Sequence, residues 1–337
     1  MPIHDVGYRS WLGNRMPRVH SFLIMVFSGI MITRRSAWIR RMLAAAWLPA
    51  LYIGFGFYLV EQALQALDPG QRRMFVEMFG PVVGIPSRDL FEQGLTTGEI
   101  DRHRVWAALI AVFLAYPQSV ASLLLTGLIA PPLISRDLRT RAYLIYFSKP
   151  ISKWDYIGGK LTTVAAFLSL ITLVPALAMI LVGVLFAPDL SVVTEIWDLP
   201  IRILLASLVF IIPTSTIALM FSSLTHESRY AALGWFMFWV LGFAGWQMIR
   251  GGLVIGLSTI AQAQGEPVNP EELFLQVGDG PWSLFSLMSL YESLIRIQQW
   301  LLGARESMPI PQLIVIALLT WFSLAVISRR VTAPIRV

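Results

Sequence analysis

The chain of 337 residues is 56% hydrophobic and only 14% charged, where an ordinary soluble domain carries about a quarter charged residues. That balance excludes a soluble globular domain and predicts an integral membrane protein. A formal net charge of +6 does not make the chain a nucleic-acid binder, because its Lys and Arg sit in short connections beside apolar runs, where they set topology. The absence of cysteine excludes disulfides, thiol catalysis and Cys-ligated metals.

Residues 1–41 hold seven Arg and no early apolar core followed by a small-residue cleavage site, so the N-terminus is predicted to be retained. Within them, 19–32 is an apolar run of fourteen residues bounded by Arg15 and Arg18 on one side and by Arg34 and Arg35 on the other. It is too short to span a bilayer. With Trp11 before it and Trp38 after it, it reads as an amphipathic interfacial helix with its Arg side chains toward lipid phosphates. Six apolar windows follow at 42–62, 105–132, 161–186, 201–224, 231–259 and 310–328, each of the length a helix needs to cross about 30 Å of hydrocarbon. The fold class is therefore all-α and polytopic. Residues 42–328 form a transmembrane domain, and 329–337 form a tail.

The connections 1–41, 135–160, 225–230 and 329–337 carry seventeen Lys or Arg, against seven in 63–104, 187–200 and 260–309. The bias places both termini in the cytoplasm. Pro117, Pro175 and Pro213 fall inside spans two, three and four, where each removes a backbone hydrogen bond and bends its helix. Residues 63–104, with breakers at Asp68-Pro69-Gly70 and Gly80-Pro81, read as a small structured excursion on the outer side. The second half of 260–309, from Pro281 to Leu302, is apolar enough for one or two short helices that dip into the outer leaflet and return.

Several chemistries are missing. There is no Gly-x-x-x-x-Gly-Lys-Ser/Thr and no dinucleotide fingerprint, so no nucleotide phosphate is cradled in either familiar way. His4, His20, His103 and His226 are isolated, with no second His at i+4, and no metal, cofactor or catalytic residue is assigned. The spans carry almost no ionisable groups, which disfavours a gradient-driven carrier. A membrane anchor or scaffold that recruits an ATPase or sensor stays open as the reading from another class.

What is present is the segment 135–160, with six Lys or Arg against two Asp and a high aromatic content. Pro131-Pro132 is expected to end or bend span two, and Ser135 to cap a short helix over 136–147. Leu138, Ala142, Ile145 and Tyr146 would line its apolar face. Ser152-x-x-Asp155 has the spacing of a capping box that starts the next helix. Asp137 is expected to cap the helix or pair with a neighbouring Arg.

These residues resemble the type-2 ABC exporter permeases, in which spans two and three are joined by an acidic-basic-aromatic stretch, then Ser-x-Pro-Ile-Ser/Thr, then Tyr-x-x-Gly-Lys. Here the three parts are Ser135-Arg136-Asp137, Ser148-Lys149-Pro150-Ile151-Ser152 preceded by Tyr146-Phe147, and Tyr156-Ile157-Gly158-Gly159-Lys160. Phe221-Ser222-Ser223-Leu224, ahead of a short basic connection, is similar to the same family. The resemblance implies a cytoplasmic coupling helix between spans two and three, against which a separate ABC ATP-binding subunit docks. It implies a second permease subunit, identical or related, with ATP and Mg held by the ATPase partner, all in a prokaryotic cytoplasmic membrane. Arg136, Asp137, Arg139, Arg141, Tyr143, Tyr146 and Phe147 are the expected docking residues. Tyr146 and Phe147 would be apolar anchors and Arg139 and Arg141 steering charges.

Overall fold

The computed structural model describes residues 18–65, 102–142, 146, 151–264, 273, 277–278 and 280–332, and among these every regular element is helical. Helix α1 (Arg18–Arg34) turns sharply at Arg35-Ser36 into α2 (Ala37–Ala46) and α3 (Leu48–Gln65). The bend between Phe22–Arg34 and Ala37–Tyr58 is 92°. A right-angle corner is the geometry of a helix lying along a membrane surface before the chain crosses it. Arg40 closes the corner by donating from Nη1 to the carbonyls of Arg34 at 3.2 Å and Arg35 at 3.1 Å, which satisfies acceptors that the end of α1 leaves free.

Five further stretches are long and apolar enough to cross a membrane, at 102–140, 153–186, 199–224, 228–263 and 310–331, and the bent pair counts as a sixth where its two pieces are taken as one span. The first of the five is α4 (Arg102–Ala115) followed by α5 (Pro117–Thr140), with Pro117 at the first position of the second piece, where its missing N–H costs nothing. The second is α6 (Lys153–Ile171) and α7 (Leu173–Phe186), broken at Thr172. Pro175 there offers no N–H to the Ile171 carbonyl, while the Thr172 hydroxyl donates to the Leu168 carbonyl at 2.8 Å. A short α8 (Val192–Glu195) leads into α9 (Leu199–Leu224), which continues through Pro213. Helix α10 (Ser228–Ala263) has 36 residues, about 54 Å at 1.5 Å per residue, and so exceeds the hydrocarbon thickness. A 3₁₀ segment (Pro281–Met288), α11 (Leu290–Leu301) and α12 (Ile310–Thr332) complete the described chain.

Helix α9 lies at the centre, packed against α5, α6, α10, α11 and α12. Its core neighbours include Leu125, Ile129, Phe167, Trp235, Trp239, Leu294 and Ile327, all buried. A second cluster, around Phe57, Trp106, Ile110, Met179 and Leu199, joins α3, α4 and α7 to the start of α9. As expected for 281–302, the short helices return into the bundle: Leu294 and Ile297 are fully buried, and Tyr291 donates to the Ala115 carbonyl at 3.1 Å. Large apolar side chains remain exposed along α10 and α12, among them Met248, Ile255, Leu318 and Trp321, which suits surfaces that meet lipid rather than water. Of the expected excursion at 63–104, residues 66–101 lie outside the described residues, while 63–65 close α3 and 102–104 open α4.

Helix α1 packs along α6, and the approach is close enough to require glycine on both sides. A methyl group added at Gly29 would stand 2.6 Å from Thr163 Oγ1, and one at Gly159 would stand 2.8 Å from Met25 Sδ. Both distances are inside van der Waals contact, so a side chain at Gly29 would press on Thr163 and one at Gly159 would displace Met25. The Gly158-Gly159 pair thus lets α1 lie close against α6, directly before Lys160.

Candidate functional site at the joined ends of spans two and three

The helix of span two does not end at Pro131-Pro132. It runs through both to Thr140, so the expected separate helix over 136–147 is instead, in its first part, the extension of α5. Ser135 is not a cap but a fully buried residue in mid-helix. The physical reason lies on α9. Two adjacent prolines withdraw the donors that would meet the Gly127 and Leu128 carbonyls and crowd the preceding turn, and just beyond them the Ser222 hydroxyl braces α5 from α9. It accepts from the Ile134 and Ser135 amides, each at 3.1 Å, and donates to the Pro131 carbonyl at 2.6 Å. Ser135 Oγ also donates to that carbonyl at 2.6 Å and lies 2.8 Å from Ser228 Oγ on α10. With the Ser135 proton committed to Pro131, Ser228 is the donor in this last pair.

Beyond this knot α5 ends at Arg141, whose backbone is left-handed (φ 55°, ψ 26°). A residue other than Gly adopts that conformation at a cost of about 1–2 kcal/mol, and here it turns the chain away from the α5 axis. The next helix begins where the spacing predicted: Ser152 accepts from the Asp155 amide and the Asp155 carboxylate accepts from the Ser152 amide, a complete capping box.

The two helix ends are tied by charge. Asp137 Oδ2 is 2.7 Å from Lys160 Nζ and accepts from the Tyr156 hydroxyl at 2.8 Å. The Asp137 and Lys160 side chains are only 13% and 12% exposed, so the pair lies in a medium where charge attraction is much less screened than at the surface. The ammonium also sits over the Tyr156 ring, 5.4 Å from its centroid. Tyr146 packs against Tyr156 with ring centroids 5.8 Å apart. Burial first, and then the Asp137 charge, push the Tyr146 phenol above its ordinary value.

Of the seven expected docking residues, Arg136, Arg139 and Arg141 are exposed. Arg139 makes one long contact, 3.5 Å, with Glu227 at the start of α10, of a kind worth little in solvent. Asp137 neither caps a helix nor pairs with a neighbouring Arg; it faces inward to Lys160 and Tyr156. Tyr146 is half-buried against Tyr156. Tyr143 and Phe147 lie outside the described residues, as does Ile145 of the expected apolar stripe. Among the described residues no group of three or more acidic or His side chains is placed to hold a metal ion.

Two features escaped the sequence. One is Ser222 as the partner of the double proline. The other, at the opposite end of the bundle, is Glu61: its fully buried carboxylate accepts from Arg102 Nε at 3.1 Å and from the Trp106 indole at 3.2 Å. Nearby, Asp198 meets His103 at 2.8 Å and Arg202 at 2.5 Å. Burial raises the Asp198 carboxyl, but the bonds from Arg202 and His103 outweigh it and hold it below the usual carboxylate range.

The motifs that seemed separate in sequence thus meet at one end of the bundle: the double proline with Phe221-Ser222-Ser223-Leu224, and Arg136-Asp137 with Tyr156-x-x-Gly-Lys160. A search of curated proteins finds none that matches the chain. The model of a protein family described as ABC-2 family transporter protein matches residues 37–327, a stretch that contains every element of this site, and the chain therefore belongs to the ABC-2 transporter family.

Proposed function

We propose that this chain is the permease subunit of an ATP-driven exporter and that a separate ATP-binding subunit docks on the 136–160 end of the bundle. The observation that carries the reading is the construction of that end. The Asp137–Lys160 pair and the Ser222 knot fasten α5 to α6, α9 and α10, while Arg136, Arg139 and Arg141 stay exposed. A push or pull on the exposed arginines is delivered to four membrane-crossing helices at once. That is what a transport pathway needs if it opens alternately as a partner closes around ATP. Catalysis belongs to the partner, because this chain lacks a phosphate-binding loop. A second copy or a related subunit completes the pathway.

Two experiments bear on this. The purified chain is expected to hydrolyse no ATP alone and to support turnover once its ATP-binding partner is added; steady turnover by the verified-pure chain refutes the assignment. For topology, a Cys placed at Thr140 of this Cys-free chain is expected to resist membrane-impermeant maleimide in intact cells and to react after lysis. Labelling in intact cells would invert the orientation.

A further inference from the structure

We propose that the corner between α1 and α2 is a binding site for the phosphate headgroup of an anionic phospholipid. Arg34, Arg35 and Arg40, with Met31, line a cavity of about 420 Å³ there. Three arginine side chains line one hollow, and among the described residues none of them has a carboxylate at ion-pair distance. Arg40 spends its Nη1 on the carbonyls of Arg34 and Arg35, which fixes the guanidinium at the corner. Like charges gathered without a counter-charge repel, and the arrangement is relieved when a phosphate enters, since guanidinium forks match phosphate oxygens in geometry and charge.

The wall opposite the charges decides between a lipid and a free anion. Met31 lines the cavity and continues the exposed apolar face of α1, with Leu23, Ile24 and Phe27 one and two turns away. A ligand with an anionic head and an apolar body satisfies both surfaces, whereas inorganic phosphate satisfies one. The 92° bend supplies the matching geometry, with one helix along the headgroup layer and the next descending into hydrocarbon. The proposal does not depend on ATPase docking.

The test is lipid retention by the detergent-purified full chain, read by native mass spectrometry during titration with phosphatidylglycerol or phosphatidylcholine. Phosphatidylglycerol is expected to bind in preference. Arg34→Gln/Arg35→Gln should weaken it about thirty-fold, at about 1 kcal/mol for each charge near the surface. Arg229→Gln/Arg330→Gln, which removes two exposed charges elsewhere, should leave it unchanged, and an unaltered unfolding temperature in phosphatidylcholine shows that both variants fold. Equal weakening in the two variants would mean general surface charge and overturn the site. Equal binding of the two lipids would overturn it as well. Competition by millimolar inorganic phosphate as effective as that of the lipid would reassign the corner to a free anion.

Discussion

Ser222→Ala is expected to cost about 2 kcal/mol of stability, because it takes the shared hydroxyl from two amides buried in the bundle, while the Pro131 carbonyl keeps Ser135, and an unsatisfied buried polar group costs about 1–3 kcal/mol. Thermal unfolding of the detergent-purified chain measures the loss, and Ser222→Thr, which keeps the hydroxyl, should recover much of it. The decisive variant is the background. In Pro131→Ala/Pro132→Ala the Gly127 and Leu128 carbonyls regain their donors and the relaxed helix can pair the Ile134 and Ser135 amides within itself, so the same Ser222→Ala change should cost less than about 1 kcal/mol. Equal costs in both backgrounds would show that the hydroxyl has no connection with the prolines. The wider consequence concerns motion. A double proline held shut by one serine on a neighbouring helix is a bend whose angle depends on how α5 and α9 sit together, so movement of either helix is felt by the other.

Lys160→Met is expected to destabilise the chain by about 2–4 kcal/mol. Removing one member of a buried pair strands the other charge, at a cost of about 3–5 kcal/mol when burial is complete, and the small exposure of these two side chains lowers that figure. Asp137→Asn/Lys160→Met should be milder than the sum of its single changes, with a coupling of at least about 1 kcal/mol. Strict additivity would mean that the two groups do not interact. The effect should differ from that of Arg139→Gln, whose partner Glu227 is exposed and whose loss should fall within about 0.5 kcal/mol. This contrast separates charges that hold the bundle from charges left for something outside it.

How far the sequence speaks depends on the distance between partners. The Ser152–Asp155 capping box was legible because both members sit within one turn, and the membrane-crossing stretches were legible because length and apolarity are local. Pro131-Pro132 was legible only in part: a double proline read alone ends or bends a helix, and nothing within reach of it along the chain says that Ser222 will brace it from another helix while α5 runs on. Asp137 misled, since its true partners, Tyr156 and Lys160, were visible in the motif but not as its neighbours. Gly158-Gly159 looked like part of a signature. Its physical use, close approach of the surface helix, appears only when Gly29 and Met25 are brought against it. The buried Glu61 pairs with Arg102 across the whole 63–101 excursion, and no periodicity marks such a pair. The exposed Arg136, Arg139 and Arg141 could be picked from charge alone, because a solvated face needs no partner to be recognised.

The most direct test of the account is purification of the tagged chain from its native membrane, with and without Arg139→Glu/Arg141→Glu. The wild-type chain is predicted to bring with it, in fixed stoichiometry, a subunit that carries a phosphate-binding loop and hydrolyses ATP. The charge-reversed variant should insert and fold as before, with its unfolding temperature unchanged, yet lose that subunit. Retention of the ATP-binding subunit by the variant at wild-type stoichiometry, or its absence from the wild-type preparation, would contradict docking at the joined ends of spans two and three.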